Sequence, residues 1–210
     1  ELRVPAPAVN VRLFRVRPFA AAVVAVLGAT IILHATMILI PILTQSLMRA
    51  SARASGVALL GISALSAITA PFGGRLSDRL GRRGLAVVGS LCMAIGLGAL
   101  WWGTGRATTA QVGGLLGLVG IGFGLSGPAR QTSAIESVPE NSTGMAAGAY
   151  YTSRYVGGVL GASLAGAMLG DAMTFATVAG AFAVLALVAL GVALVSLGLS
   201  GRVLRRVWQT

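Results

Sequence analysis

Long apolar runs separated by short polar clusters dominate this chain of 210 residues. Each run has about 20 residues or more, the length that an α-helix needs to cross a bilayer core of about 30 Å. Such runs predict membrane-spanning helices, because a helix satisfies its backbone hydrogen bonds internally. The pattern predicts six spans, I to VI, with approximate bounds 18–47, 54–74, 84–104, 111–137, 143–169 and 172–200.

Composition favours a membrane protein over a water-soluble one. Hydrophobic residues make up 56% of the chain and charged residues 10%, whereas about a quarter of a soluble domain is charged. We therefore predict an all-α polytopic membrane protein, with a basic amphipathic segment at 1–17, a six-helix unit at 18–200 and a cytoplasmic tail at 201–210. The chain starts at Glu1 and its first methionine is Met37, in the middle of span I, so we expect a fragment of a longer protein.

The charge is carried by arginine alone, and its placement predicts orientation. With the N-terminus inside, twelve of the sixteen arginines lie at inner ends of spans and three at outer ends. Because Lys and Arg accumulate in cytoplasmic loops, both termini are expected in the cytoplasm of a cell-membrane protein. The net charge of +11 alone would also suit nucleic-acid binding. The arginines fall between apolar runs, however, and do not form one basic face, so nucleic acid is excluded as a partner.

The polar cluster between spans II and III has the sequence GRLSDRLGRR at 74–83. We predict a tight loop at 75–83, with Gly74 and Gly81 supplying small backbone at its ends. Asp78 is the only carboxylate among four arginines. It can pair with Arg79 or Arg82, or accept backbone N–H groups at a neighbouring helix N-terminus.

This cluster resembles the G-x-x-x-D-R-x-G-R-R signature of the major facilitator superfamily. Softer similarities extend the resemblance to the second half of fourteen-span drug:proton antiporters of the EmrB/QacA type. They are Leu13-Phe14-Arg15, Pro41, Gly120-x-Gly122-x-Gly124 with Pro128, and Ser153-Arg154-x3-Gly158-x2-Gly161.

The resemblance implies half of a major facilitator fold, made of two inverted three-helix repeats, with the N-terminal half missing. Spans I and IV would line the cavity, II and V would face the missing half, and III and VI would lie outside. The signature would act as a latch between the halves that biases one access state. The implied latch residues are Gly74, Asp78, Arg79, Gly81, Arg82 and Arg83.

Polar residues inside the spans are candidates for substrate contact, because ionisable groups at membrane depth are costly and usually functional. His34 lies past the midplane of span I and can change charge near neutral pH; the alternative is a neutral imidazole bonded to Thr30. Arg154 lies roughly 15 Å into span V, where Glu136 is the only nearby acid and Arg130 competes for it. The candidates for the cavity are His34, Thr36, Gln45, Arg130, Gln131, Tyr150, Tyr151 and Arg154.

Small residues and prolines suggest packing and hinge positions. Span V carries Gly157, Gly158, Gly161 and Gly166, and such stripes let helix backbones approach closely. We interpret the stripe as a rocking interface between the halves, the alternative being packing inside this half. Pro41 and Pro128 allow kinks.

These observations predict a proton-coupled exporter of drugs or other small hydrophobic molecules, working by alternating access. We expect no catalytic residues, metal site or cofactor, with the proton as coupling ion. The expected partners are the lipid bilayer, the missing N-terminal half and a small-molecule substrate. The alternatives are a metabolite or sugar transporter of the same superfamily, and a six-helix unit that homodimerises or does not transport.

Overall fold

The computed structural model describes residues 11–170 and 173–199, in which six long helices form one bundle and no β-strand occurs. This confirms the all-α fold. A short 3₁₀ turn, Val11–Arg15, precedes the first helix, and another, Glu140–Ser142, precedes the fifth. The predicted tail at 201–210 and most of the leading segment at 1–17 lie outside the described residues. The helices are α1 Arg17–Pro41, α2 Ala52–Leu80, α3 Arg82–Gly103, α4 Thr109–Glu136, α5 Thr143–Leu169 and α6 Phe175–Ser196.

Local capping explains why the connections between these helices are short. Ser51 accepts a hydrogen bond from the backbone N–H of Ala54 and starts α2. Thr108 and Gln111 form a capping box at the start of α4, and α6 starts with a second capping box at Thr174. Such caps satisfy backbone donors that a helix N-terminus otherwise leaves unpaired.

The helix α1 changes type at Pro41, where the sequence predicts a kink. A π-helical segment, Ile42–Leu47, continues the helix from this residue. Proline has no N–H to donate to the carbonyl of Met37, so the regular hydrogen-bond pattern is broken there. The π-helical segment is wider, with hydrogen bonds between residues five positions apart, and it carries the helix past this break.

The predicted loop at 75–83 is wrong over most of its length. The helix α2 continues to Leu80 and includes Gly74. A Cβ atom added to Gly74 would meet no neighbouring element within 4 Å. The chain turns at Gly81 alone, whose φ of 84° and ψ of 145° favour glycine. Arginine and leucine are good helix formers, so the helix persists into the charged cluster instead of stopping where the apolar run stops.

The helix contacts repeat within the bundle. The helix α1 packs on α5 and α6, and correspondingly α4 packs on α2 and α3. The remaining major contacts are those of α1 with α4 and of α3 with α6. Each joins two helices that hold the same position in the first group of three helices, α1–α3, and in the second, α4–α6. Exchanging α1–α3 for α4–α6 therefore reproduces the same set of contacts, as expected of two three-helix repeats.

Glycines bring the paired helices into backbone contact. A Cβ atom added to Gly161 of α5 would lie 2.5 Å from the carbonyl oxygen of Ile31 in α1. Between α2 and α4, a Cβ added to Gly73 would lie 2.7 Å from the carbonyl oxygen of Leu125. Such distances leave no room for a side chain. We call the α1/α5 and α2/α4 contacts the glycine seams.

Five helices are long and apolar enough to cross a membrane, and among the described residues α5 falls below that level of hydropathy. Its 27 residues would reach about 40 Å, enough to cross. Arg154 and the neighbouring polar side chains lower its hydropathy. The bundle is thus a multi-pass membrane unit in which α5 alone of the six long helices lacks a strongly apolar stretch of spanning length.

Candidate functional site

A cleft of about 360 Å³ lies between the α1/α5 pair and the α2/α4 pair. Its walls are mostly apolar and come from these four helices, while α3 and α6 contribute no lining residue. The sequence predicts that spans I and IV line the cavity, and the structure adds α2 and α5 to its walls. The polar or charged lining residues are Ser63, Ser66, Arg130, Gln131, Tyr150 and Arg154.

Arg130 lies on α4 at the cleft and is 1% exposed. Its Nη2 donates a hydrogen bond of 2.8 Å to the hydroxyl of Ser90 on α3. Its Nε has no hydrogen-bond partner. The predicted competition of Arg130 for Glu136 is therefore wrong, since a hydroxyl and no carboxylate holds this guanidinium.

Glu136 instead forms an ion pair with Arg82, the only ion pair among residues 11–170 and 173–199. Arg82 is the first residue of α3 and is buried, and Glu136 is the last residue of α4. The pair therefore ties these helix ends together. Glu136 is thus not the partner of Arg154, and Asp78 is not the partner of Arg82.

The polar side of the cleft is built by α4 and α5. Gln131 donates a hydrogen bond of 2.9 Å from Nε2 to the hydroxyl of Tyr151. The rings of Tyr150 and Tyr151 meet edge to face, with centroids 5.9 Å apart. Arg154 is exposed at the cleft, and no described residue forms a hydrogen bond or ion pair with it. The structure thus brings together Arg130, Gln131, Tyr150 and Arg154, with Tyr151 attached through Gln131.

His34 does not line this cleft. Its Nδ1 donates a hydrogen bond of 2.9 Å to the carbonyl oxygen of Thr30, and its ring lies against Gly158 of α5. This is the arrangement that the sequence allows as the alternative to a substrate contact. The ring is exposed and borders the α1/α5 seam.

Two further cavity candidates also lie outside the cleft. The side chain of Thr36 is fully buried, and its hydroxyl has no hydrogen-bond partner. Gln45 donates from Nε2 to the hydroxyl of Ser55 at 3.1 Å, and Thr44 donates to the same oxygen at 2.8 Å. These contacts join the π-helical segment to the start of α2.

The interpretation of the span V stripe as an interface between halves is wrong for three of its glycines. Gly157, Gly158 and Gly161 all face α1, where an added Cβ would approach Leu27, His34 and Ile31. They belong to the α1/α5 seam, so the alternative of packing inside this half is confirmed for them. Gly166 faces open space.

The signature segment presents charge at the surface where α2 meets α3. Asp78, Arg79 and Arg83 are exposed. No ion pair or hydrogen bond joins Asp78 to another described side chain. The same end of the bundle holds the Arg82–Glu136 pair, so one arginine of the signature is fixed and the others are free to meet a partner.

Sequence reasoning missed Ser90, which lies on span III, one of the two spans that the family resemblance places outside. Ser90 is fully buried between α3 and α4, where it also donates to the carbonyl oxygen of Ala86. The available signal was its position as the only polar side chain in the middle of span III. A buried arginine on the next helix needs such a partner.

Comparison with known proteins gives consistent matches. A family model described as Major Facilitator Superfamily matches residues 2–162. The chain is 30% identical, over 84% of its length, to the "Uncharacterized MFS-type transporter YwoD" of Bacillus subtilis. It is 29% identical over 80% of its length to the "Multidrug resistance protein Stp" of Mycobacterium tuberculosis, and 27% identical over 79% to the "Lincomycin resistance protein LmrB" of Listeria innocua. It spans 39%, 31% and 35% of these relatives, respectively.

Proposed function

The chain belongs to the major facilitator superfamily, and on that premise we propose that it is the C-terminal half of a proton-coupled exporter of drugs or other small hydrophobic molecules. The exporter works by alternating access between two six-helix halves, of the EmrB/QacA type. It lies in the cell membrane with both termini of this chain in the cytoplasm. The resistance named in the relatives Stp and LmrB supports drugs as the substrate class.

The observation that carries this proposal is the cleft between the α1/α5 helix pair and the α2/α4 helix pair. It is mostly apolar with a few polar groups on one side, the usual composition of a small-molecule site. The helices α2 and α5 border it and expose large apolar residues, among them Ile68, Phe72, Tyr155 and Val159, which are 56–74% exposed. A second half that packs on these faces would close the cleft into a cavity at the midplane.

The signature segment supports the alternating-access part of the proposal. The Arg82–Glu136 ion pair fixes the start of α3, while Asp78 and Arg79 remain exposed beside it. These two residues are thus free to contact the second half in one access state and to release it in the other. Gly81 provides the turn and Arg82 the fixed helix start beside them, and Gly74 and Arg83 are the remaining latch residues of the proposal.

The coupling proton has few possible carriers in this part of the chain. No acidic residue is found among the lining residues of the cleft, and His34 borders the α1/α5 seam. We assign the proton-binding carboxylate to the second half. A metabolite transporter of the same superfamily is the second candidate function, favoured by the two arginines at the cleft.

The test is transport by the full-length protein in proteoliposomes. With an imposed pH gradient, we expect lincomycin or another hydrophobic compound of neutral or negative charge to move against its concentration gradient, and a protonophore to abolish this movement. Liposomes without protein are the control. Failure to move any of these compounds, with gradient-dependent uptake of glucose instead, would replace the exporter by the metabolite transporter. A six-helix unit without transport would move none of these compounds.

A further inference from the structure

We infer that the cleft binds a negatively charged oxygen group of its substrate, such as a carboxylate or sulfonate on an otherwise apolar molecule. This inference rests on the proposed function, because it names the charge of the molecule that the cleft would carry. It assigns the direct contact to Arg154 and the supporting positive charge to Arg130.

The charges of the described residues are unbalanced at the cleft. Arg130 and Arg154 both line it, and no acidic residue does. Glu136 is engaged by Arg82. Asp78 and Glu140 are exposed, in the signature segment and between α4 and α5. The cleft therefore carries two positive charges that none of these carboxylates neutralises.

Arg130 contributes a fixed positive charge. Its side chain is 1% exposed, its one hydrogen bond goes to the neutral hydroxyl of Ser90, and its Nε is unpartnered. A buried charge normally has an opposite charge near it, because burial removes its hydration. Without one, the charge raises the positive potential in the cleft, and low-dielectric walls strengthen that effect.

Arg154 supplies the contact itself. It is exposed at the cleft, and its guanidinium has no partner among the described residues. A guanidinium presents a planar set of donors that matches a carboxylate or sulfonate in two parallel hydrogen bonds. The side chains of Tyr150 and Gln131 lie at the same cleft, and the apolar walls formed by Leu33, Phe123 and other residues would hold the body of the molecule.

The other possible partner is a carboxylate of the second half. Such a group can approach Arg154, which is exposed, but it cannot contact Arg130 at 1% exposure. The same holds for a carboxylate of the substrate, so either group would contact Arg154 directly and meet Arg130 only through its longer-range charge. The experiment separates the two cases.

The experiment compares three probes with the same aromatic body, naphthoate, naphthylmethanol and naphthylmethylamine, binding to the purified full-length protein at neutral pH. Naphthoate should bind about tenfold more tightly than the other two, the usual size of a charged hydrogen bond. Arg154→Gln should lower naphthoate affinity about tenfold and leave naphthylmethanol affinity unchanged, and Arg154→Lys should restore part of the loss. Arg106→Gln, which removes an exposed arginine outside the cleft, should bind all three as the parent does.

Several results would overturn the inference: equal binding of the three probes, preference for the amine, absence of naphthoate binding, or unchanged naphthoate affinity in Arg154→Gln. If Arg154→Gln lowers Tm without ligand and leaves naphthoate affinity unchanged, the partner of Arg154 is a carboxylate of the second half. Transport of lincomycin and of neutral and anionic hydrophobic compounds is measured on the same preparations. If the protein transports these compounds but binds the three probes equally, the proposed exporter is supported and the anion site is rejected. If the protein prefers naphthoate but transports nothing, the anion site is supported and the proposed exporter is rejected.

Discussion

Arg82 and Arg130 are both buried, and the side chains that hold them differ. Arg82 pairs with the carboxylate of Glu136, whereas Arg130 is held by the hydroxyl of Ser90. A paired charge stabilises a helix contact, and a charge without an opposite partner shapes the potential around it. The two arginines therefore serve different purposes, one in fixing the signature end of the bundle and one at the cleft.

Replacing Ser90 tests how Arg130 is held. In Ser90→Ala the guanidinium loses its only hydrogen bond inside the bundle, so we expect the free energy of unfolding to fall by about 1–3 kcal/mol. Ser196→Ala is the matched control, because Ser196 is also fully buried but donates only to the carbonyl of its own helix at Val192. Equal effects in denaturant titrations of the two variants would contradict the role given to Ser90.

Replacing Asp78 tests the latch. Asp78→Asn keeps the size of an exposed side chain with no partner in the described bundle, so expression and membrane insertion should be unchanged. Loss of the charge should slow transport by about fivefold or more, the usual scale of a coupling contact. Glu140→Gln, which also removes an exposed acid near this end, is the control. Full transport in Asp78→Asn, measured in proteoliposomes, would remove the latch role.

Replacing His34 tests whether it carries the proton. Its Nδ1 is occupied by the carbonyl of Thr30 and its ring lies off the cleft, so we expect His34→Ala to retain substrate-dependent proton release. A pH-sensitive dye with the purified full-length protein measures that release. Its loss in His34→Ala, with substrate binding intact, would assign the coupling proton to this side chain.

At the scale of single residues, the sequence identified which polar side chains are unusual within apolar spans, but it did not identify the residues that they contact. Arg130, Gln131, Tyr150 and Arg154 were predictable as cavity residues because polar groups within apolar runs are costly. Their partners were not, because Ser90 is 40 positions from Arg130 along the chain. His34 looked equally functional, and only the structure shows that its exposed ring lies beside Gly158 of α5 and off the cleft.

At the scale of elements, the glycine seams organise the bundle. They join α1 to α5 and α2 to α4, with backbone atoms so close that a Cβ has no room at several positions. Close backbone approach gains van der Waals contact where lipid provides no hydrophobic driving force between helices. The seams thus define the two pairs whose separation forms the cleft.

Widening one seam by a single methyl group tests this arrangement. In Gly161→Ala the new Cβ would lie 2.5 Å from the carbonyl oxygen of Ile31, so the helices must move apart, and we expect a loss of about 1–3 kcal/mol in stability. Gly180→Ala on α6, where no atom lies within 4 Å, should be neutral or stabilising because alanine favours helix. Similar Tm values for both variants would show that the seam tolerates expansion.

The sequence predicted the six helices well because apolar length is read directly from the chain. It failed at the signature segment, where a glycine at each end suggested a loop. Only Gly81 has the positive φ that a turn needs, and Gly74 is accommodated within a helix. Glycine occurs both in turns and inside helices, so the presence of glycines at 74 and 81 did not decide where the helix ends.

At the scale of the whole molecule, the bundle exposes large apolar side chains on the face that α2 and α5 form beside the cleft. The helices α2 and α5 border the cleft and expose apolar residues, while α3 and α6 pack together on the other side. The symmetry of the contacts could not be read from the sequence, because it depends on pairs far apart along the chain. The inverted repeat followed only from the family resemblance.

The orientation of the bundle can be measured with single cysteines. After Cys92→Ser removes the only cysteine of these 210 residues, Glu140→Cys and Arg106→Cys place thiols in exposed connections that flank α4. The arginine distribution predicts that the thiol at position 140 reacts with a membrane-impermeant maleimide only in opened cells. The thiol at position 106 should react in intact cells. The reverse labelling pattern would invert the proposed topology.

The weak hydropathy of α5 bears on how the protein is made. A helix with an arginine and few strongly apolar side chains partitions poorly into lipid by itself. Its main packing partner, α1, precedes it by more than one hundred residues. We therefore expect α5 to be retained in the bilayer by contact with a helix synthesised long before it. On this expectation a defect in the α1/α5 seam would reduce the yield of inserted protein.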